Sequence, residues 1–348
     1  IQPYWHTIIG TFSQFADSGF IPSVGDTLEG DWLCDSINNP PKVITNANGS
    51  QISDIDGHTT VDAVGGLWCV NLGYSNEAVK KAISEQLNHL PYYSGFAGTT
   101  NPAAIEASFM VKEMFKADGM EKVFFTSGGS DSVETCLRLS RQYHRWRGEP
   151  TRTKFISLKK GYHGTHFGGA SVNGNNRFRI AYEPLLPGCF HLPSPYTYRN
   201  PFNETDPQKL ALNIAQAFED EIAFQDKNTI AAFIMEPIQG AGGVIVPDPS
   251  FMGLMQEICE RNGILMISDE VITGFGRTGS WSGARHWNVK PDMMSMAKGI
   301  TSGYFPVGAA LMGGKVADVF ENSDSPEAGI FHGYTYSCLL YTSPSPRD

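Results

Sequence analysis

Asp269 and Lys298 carry the chemistry that stands out first along this chain. Asp269 follows the apolar run Ile264-Leu265-Met266-Ile267 and Ser268, while Lys298 follows Asp292-Met293-Met294-Ser295-Met296-Ala297 and precedes Gly299. A short apolar run that breaks into polar residues suits a strand buried on both faces. In open α/β sheets, ligands sit just beyond the carboxyl ends of such strands. A carboxylate that can neutralise a cationic ring nitrogen and a lysine amine for a Schiff base are what pyridoxal phosphate requires of a protein. The same two residues also fit an aspartate capping a helix and a lysine on a surface turn. The pair alone leaves both readings open.

Other strand ends carry groups that could complete such a site. A strand over 122–126 runs into Ser127-Gly128-Gly129-Ser130-Asp131-Ser132 and then a long helix. Strand, glycine-rich turn and helix start together make an anion cradle, because the first helical N–H groups and the helix dipole both favour negative charge. Arg138, Arg141, Arg145 and Arg147 on that helix read as a solvated basic face. A strand over 154–158 leads to Gly161-Tyr162-His163-Gly164, where an aromatic pair between glycines could cover a planar ligand. His163 and His166 have metal-like spacing, but no nearby acids or cysteines complete a ligand set, and no metal is expected. A buried strand over 231–235 ends at Glu236-Pro237-Ile238-Gln239-Gly240. Trp68, beside Gly65 and Gly66, fits a core position or a pocket wall equally well.

These positions need a scaffold, and the rest of the chain supplies one. Asn48-Gly49 and Asp56-Gly57 predict tight turns in a small β region, with Ile52, Ile55 and Val61 along its strands. Ser75 or Asn76 can cap a helix carrying Val79, Ala82, Ile83, Leu87 and Leu90. Asn101-Pro102 starts another, with Ile105, Phe109 and Met110 on one face. The stretch 174–203 reads as a long loop, and Asp206-Pro207 opens a helix striped by Leu210, Ile214, Phe218 and Ile222. A further helix lies near 251–261. Strands and helices alternate throughout with no internal repeat, which predicts an α/β fold: a mainly parallel sheet covered by helices on both faces.

The totals narrow the function. The chain has 348 residues, long enough for a large core. A formal net charge of -10 argues against non-specific binding to nucleic acid or an anionic membrane. No apolar run is long enough to span a bilayer. Cys34, Cys69, Cys136, Cys189, Cys259 and Cys338 are scattered, without a Cys-x-x-Cys pair. That pattern suits reduced thiols and predicts the cytoplasm or an organelle matrix.

Seven segments in order, GLWCVNLGY, TSGGSDSVET, GYHG, MEPIQGAGGV, SDEVITGFGRTG, AKGITSGYFPVGA and HGYTYS, resemble the class III, or omega, aminotransferases. The resemblance covers roughly residues 65–337 and implies a fold type I pyridoxal-phosphate enzyme, plus part of a smaller α+β subdomain. It divides the chain into 1–75 (part of the small subdomain), 76–337 (the large cofactor-binding domain) and 338–348 (a tail unlike the family). By the resemblance, Lys298 bonds to the cofactor and moves the substrate proton, and Asp269 pairs with the pyridinium nitrogen. Val271 packs under the ring, with Tyr162 and His163 on the other side. Gly128, Gly129 and Ser130 form the phosphate cup, where many relatives read Ser-Gly-Ser. Glu236 and Gln239 match partners of the ring and its oxygen. Tyr334 and Thr335 match a segment that reaches the neighbouring subunit's phosphate, which implies a homodimer. Trp68 corresponds to a substrate-pocket aromatic. The implied reaction moves an amino group from a primary amine or ω-amino acid to a keto acid, with pyruvate the expected acceptor, in a ping-pong cycle. An aminomutase, a decarboxylating relative or an inactive remnant are the alternatives.

After Ser337 the family pattern stops and Cys338-Leu339-Leu340-Tyr341-Thr342-Ser343-Pro344 follows. The arginine that holds a substrate carboxylate in many relatives has no counterpart before that point.

Overall fold

A computed structural model of the chain describes residues 42–95, 98–322, 330 and 332–335. The tail 338–348 therefore lies outside the described residues. The chain divides into two compact units, 1–63 and 64–348. The GLWCVNLGY segment thus belongs with the second unit, twelve residues earlier than the division expected at 75.

In the first unit, β1 (Ile44–Asn48), β2 (Gln51–Asp54) and β3 (Thr59–Val61) form an antiparallel sheet in that order. Gly49 and Gly57 take φ of 58° and 85°, the left-handed values that tight turns need and that glycine adopts without strain. The Asp54 carboxylate accepts from the N–H groups of Asp56 and His58 and closes the second turn. Ile55, expected along a strand, lies in that turn and is exposed.

The second unit begins with α1 (Glu77–His89) and α2 (Pro102–Phe115). It continues through β4 (Met120–Thr126), α3 (Gly129–Trp146), β5 (Lys154–Leu158), α4 (Phe167–Val172) and β6 (Cys189–Leu192). Then come α5 (Pro207–Gln225), β7 (Ile230–Met235), α6 (Phe251–Asn262), β8 (Leu265–Asp269), α7 (Gly283–His286), β9 (Met293–Met296), β10 (Gly308–Gly313) and α8 (Gly314–Glu321). Helix starts follow side-chain chemistry. Asn76, Asn101 and Asp206 each accept a first-turn N–H, from Val79, Ala104 and Lys209, and so satisfy donors the helix itself cannot. Gly263, left-handed at φ 66°, ends α6.

The sheet order is β4-β10-β9-β8-β7-β5-β6, parallel except that β10 runs against both neighbours. Since β4 and β9 both oppose β10, the carboxyl ends of β4, β5, β7, β8 and β9 share one edge. Helices cover both faces, as expected. One core joins α5 and α6 to the sheet through Leu210, Ile214, Phe218, Met255 and Ile258, and the other joins α3 and α8 through Val133, Leu137, Tyr143 and Val316.

Two expectations are corrected. The 174–203 loop contains β6, which extends the sheet beside β5 in register from Phe155 with Cys189 to Leu158 with Leu192. On α2, Ile105 and Phe109 are 58% and 62% exposed, and the buried face is Ala104, Val111 and Phe115. The hydrophobic period was right for a helix, but the sheet takes a different stripe of it.

Candidate active site

Five strand ends deliver side chains to one cleft. Its walls include Gly129 and Ser130 after β4, Tyr162 and His163 after β5, Glu236 after β7, Asp269 and Val271 at β8, and Lys298 after β9. Leu67, Val133, Gly164, Ile272 and Ala297 complete the lining. The parallel register is what converges residues so far apart in sequence, since every connection returns to the same edge.

Asp269 is the most firmly held of these groups, only 3% exposed. Its Oδ2 lies 2.7 Å from His163 Nδ1. Its Oδ1 accepts from Ser295 Oγ at 3.0 Å and from the Val271 N–H at 3.1 Å. The serine contact follows from sheet register, because Asp269 on β8 pairs with Ser295 on β9. An ionised carboxylate accepts from all three, which assigns the Nδ1 proton to His163. His163 is itself fixed, its N–H donating to Asn173 Oδ1 at 2.5 Å. Its Nε2 is buried and has no hydrogen-bond partner among the described residues.

Lys298 takes a left-handed backbone, φ 51°, two residues past the end of β9. A non-glycine residue there is strained, and such strain persists where surrounding structure over-determines it. Burial pushes the Lys298 ammonium below the usual lysine range, against the pull of Asp269, Glu236 and Cys69. Its Nζ lies 5.7 Å from the centre of the Trp68 ring. Glu236 is also buried, and burial pushes its carboxyl up to about 7, although Tyr162 and Gly240 both donate N–H groups to it.

At the far end of the cleft, Gly128 caps α3 and Gly129 and Ser130 form its first turn, where helical N–H groups have no intrahelical acceptor. The Ser130 hydroxyl accepts from the Thr165 N–H at 3.0 Å. Closeness here demands glycine. A Cβ on Gly129 would lie 3.1 Å from Val271 Cγ1, and one on Gly164 would lie 2.7 Å from Ser130 Oγ. The donor set fits a planar ring with a cationic nitrogen at Asp269, a carbonyl within reach of an amine on Lys298, and an anion at the α3 start.

Other expected residues stand elsewhere. Gln239 is buried, but its Nε2 donates to the Lys159 carbonyl and its Oε1 accepts from Ser194 Oγ, so its amide is not part of the cleft wall. Tyr334 donates to the Asp131 carbonyl, and the Thr335 carbonyl accepts from Tyr92 Oη. Neither lines the cleft. Trp68 is half-buried at the rim, and Leu67 supplies the adjoining wall.

The sequence reading missed Ser295, Asn173 and Glu270. Glu270 is fully buried and accepts from Ser268 Oγ, Thr273 Oγ1 and the N–H groups of Gly283 and Ala284. It thereby ties the end of β8 to the start of α7. Burial raises its pKa, and the four donors oppose that rise. A lone serine inside the apolar run of β9 was the available signal for Ser295. Asn173 carried none, since its partner His163 is set by folding.

Residues 35–340 match the family described as aminotransferase class-III. A putrescine–pyruvate aminotransferase of Pseudomonas aeruginosa is 38% identical over 296 residues, 85% of this chain and 64% of that protein. A mitochondrial gamma-aminobutyrate transaminase 1 of Oryza sativa subsp. indica is 37% identical, over 85% of this chain and 58% of its own length. Among solved structures, an amine transaminase from an uncultivated Pseudomonas species, in its PLP-bound form, superposes with a TM-score of 0.88. It is 43% identical, and the match covers 92% of this chain and 74% of that one. The chain thus spans less than two thirds of the length of these two curated relatives. Family match, sequence identity and fold agree that the chain belongs to the class-III aminotransferases.

Proposed function

We propose that this protein is a pyridoxal-phosphate-dependent aminotransferase that moves an amino group from a primary amine or ω-amino acid to a keto acid, with pyruvate as acceptor. One observation carries the reading: Asp269, held as a buried carboxylate, and Lys298, with its ammonium destabilised by burial, share one cleft with an anion cradle. When bound, the cofactor supplies an electron sink for the charge left as the substrate's C–H bond breaks.

The chain's own residues do the rest. Asp269 holds a proton at the ring nitrogen by its charge, and His163, Ser295 and Val271 keep that carboxylate oriented. Lys298 Nζ, neutral at a lower pH than an ordinary lysine, would bond to the cofactor and, once the substrate amine has displaced it from that bond, would carry the proton from the substrate carbon to the cofactor. Gly129 and Ser130 bind the phosphate through the start of α3, with Gly128 as its cap. Tyr162 and Val271 would confine the ring, and Glu236 lines the same cleft. The names of the relatives, one a putrescine–pyruvate enzyme and one an amine transaminase, support an amine donor and pyruvate.

A homodimer belongs to the same reading. Ile105, Phe109 and Leu87 leave apolar surface on α1 and α2 exposed in the single chain, which a second copy would cover. In that assembly Tyr334 and Thr335 would serve the neighbour's phosphate. Among the described residues no helix is long and apolar enough to cross a membrane, and the free cysteines Cys69, Cys136, Cys189 and Cys259 suit a reducing cytoplasm.

The test is a panel of amines with pyruvate and added cofactor. Alanine formation with ping-pong kinetics is expected. Turnover of a single substrate without any keto acid would replace this reading with an isomerising one.

A further inference from the structure

We propose that Arg277 is a positioning residue that holds the 65–71 loop, and with it Leu67 and Trp68, as the wall that decides how bulky an amine enters the cleft. The proposal rests on the aminotransferase reading for what the cleft admits, but its structural half stands on its own.

One residue of the loop, Trp68, takes a conformation that its own type does not favour. Gly65, Gly66 and Trp68 are all left-handed, with φ of 68°, 65° and 57°. Two glycines adopt such values freely, whereas a bulky aromatic residue does so only when its surroundings impose it. The loop is also closed on itself, with the N–H groups of Cys69 and Val70 both donating to the Gly65 carbonyl. A Cβ on Gly66 would lie 2.9 Å from Val70 Cγ2.

What imposes the Trp68 conformation comes from the segments after β8 and β9. Arg277 Nη2 donates to the Trp68 carbonyl at 3.3 Å and to Asn71 Oδ1 at 2.8 Å. Asn71 Nδ2 answers by donating to the Phe275 carbonyl at 3.0 Å, so guanidinium and amide form a two-way clasp. Ser302 Oγ takes the Leu72 N–H at 2.8 Å and secures the far end. Arg277 is exposed, yet its base is braced: Phe275 packs edge-on against Phe115, and its N–H donates to the Trp281 carbonyl. Holding the Trp68 carbonyl fixes the peptide on which the ring pivots. That keeps the ring 5.7 Å from Lys298 Nζ and Leu67 in the wall. Both bonds come from the one Nη2, whose two N–H groups are fixed in the guanidinium plane, whereas a lysine ammonium turns freely at the end of its stem.

Arg277→Ala, Arg277→Lys and the unchanged full chain, each with added pyridoxal phosphate, separate this from a merely structural role. Amide exchange over residues 66–73, read by mass spectrometry, should quicken about tenfold or more in Arg277→Ala while exchange over 120–146 stays as it was. The kcat/KM ratio of a bulky arylalkyl amine over a small aliphatic amine should rise about fivefold or more, through KM rather than kcat. Arg277→Lys should fall between. Unchanged exchange overturns the clasp, and faster exchange with an unmoved ratio overturns its role in specificity. If the unchanged chain turns over no amine, the aminotransferase reading fails instead, and the exchange result still decides whether Arg277 holds the loop.

Discussion

The floor and the rim of the cleft are built by different means. Asp269 on the floor ends a strand, is buried, and accepts three hydrogen bonds, one of them dictated by its β-sheet pairing with Ser295. Trp68 on the rim sits in a loop, half-buried, and depends on an exposed arginine far away in sequence. Register holds the floor, while loose ends tied by side chains hold the rim. A carboxylate that must meet the ring nitrogen within a fraction of an ångström belongs on the sheet, with Lys298 just past the end of the neighbouring strand. Groups that only shape the entrance can vary on loops without disturbing it.

Substitutions on the floor should therefore cost chemistry, and the largest loss should come at its edge. Lys298→Ala is expected to abolish transamination and covalent cofactor attachment while circular dichroism and non-covalent binding remain. Asp269→Asn keeps the shape and removes the charge. It should lower kcat about a thousandfold with little change in melting temperature, the scale of losing a preorganised electrostatic partner. Glu270→Ala should invert that pattern. It strands four buried donors, two of them backbone N–H groups, and should destabilise the fold by about 3 kcal/mol in urea titration. Ser295→Ala removes one of Asp269's three donors, and a loss of about fivefold in kcat is expected, with KM unmoved. An Asp269→Asn enzyme as active as wild type, or a Glu270→Ala chain as stable, would erase the distinction drawn here.

The pH dependence sharpens the same contrast. The folded Lys298 pKa is depressed, so between that value and the ordinary 10.5 the unfolded chain binds more protons than the folded one. In the cofactor-free protein its contribution to stability therefore rises with pH across that window. Covalent attachment of the cofactor should set in as pH climbs through the depressed value, below the ordinary 10.5. Attachment that begins only near 10.5 would mean that Lys298 is solvated like a surface lysine.

Much of the floor was legible because its signals are local. Apolar runs breaking at Asp269, Glu236 and Thr126 mark strand ends, and strand ends on one edge of a parallel sheet converge whatever their distance in sequence. Asn76, Asn101 and Asp206 announced helix starts by a short side-chain oxygen next to a helical pattern. Cys189-Phe190-His191-Leu192 gave no such sign. The segment is four residues long, set among prolines and glycines, and becomes a strand only because β5 offers it an edge. The stripe of α2 failed for a related reason, since periodicity identifies a helix without saying which face meets the sheet. Gln239 follows the same logic: its amide goes to Lys159 and Ser194, partners that exist only once the chain has folded.

The most direct measurement is to incubate the full chain with pyridoxal phosphate, reduce it with borohydride, and map the modified lysine by peptide mass spectrometry. Stoichiometric labelling of Lys298, lost in Lys298→Ala, is the result this account predicts. Labelling at another lysine, or no specific labelling at all, would contradict it.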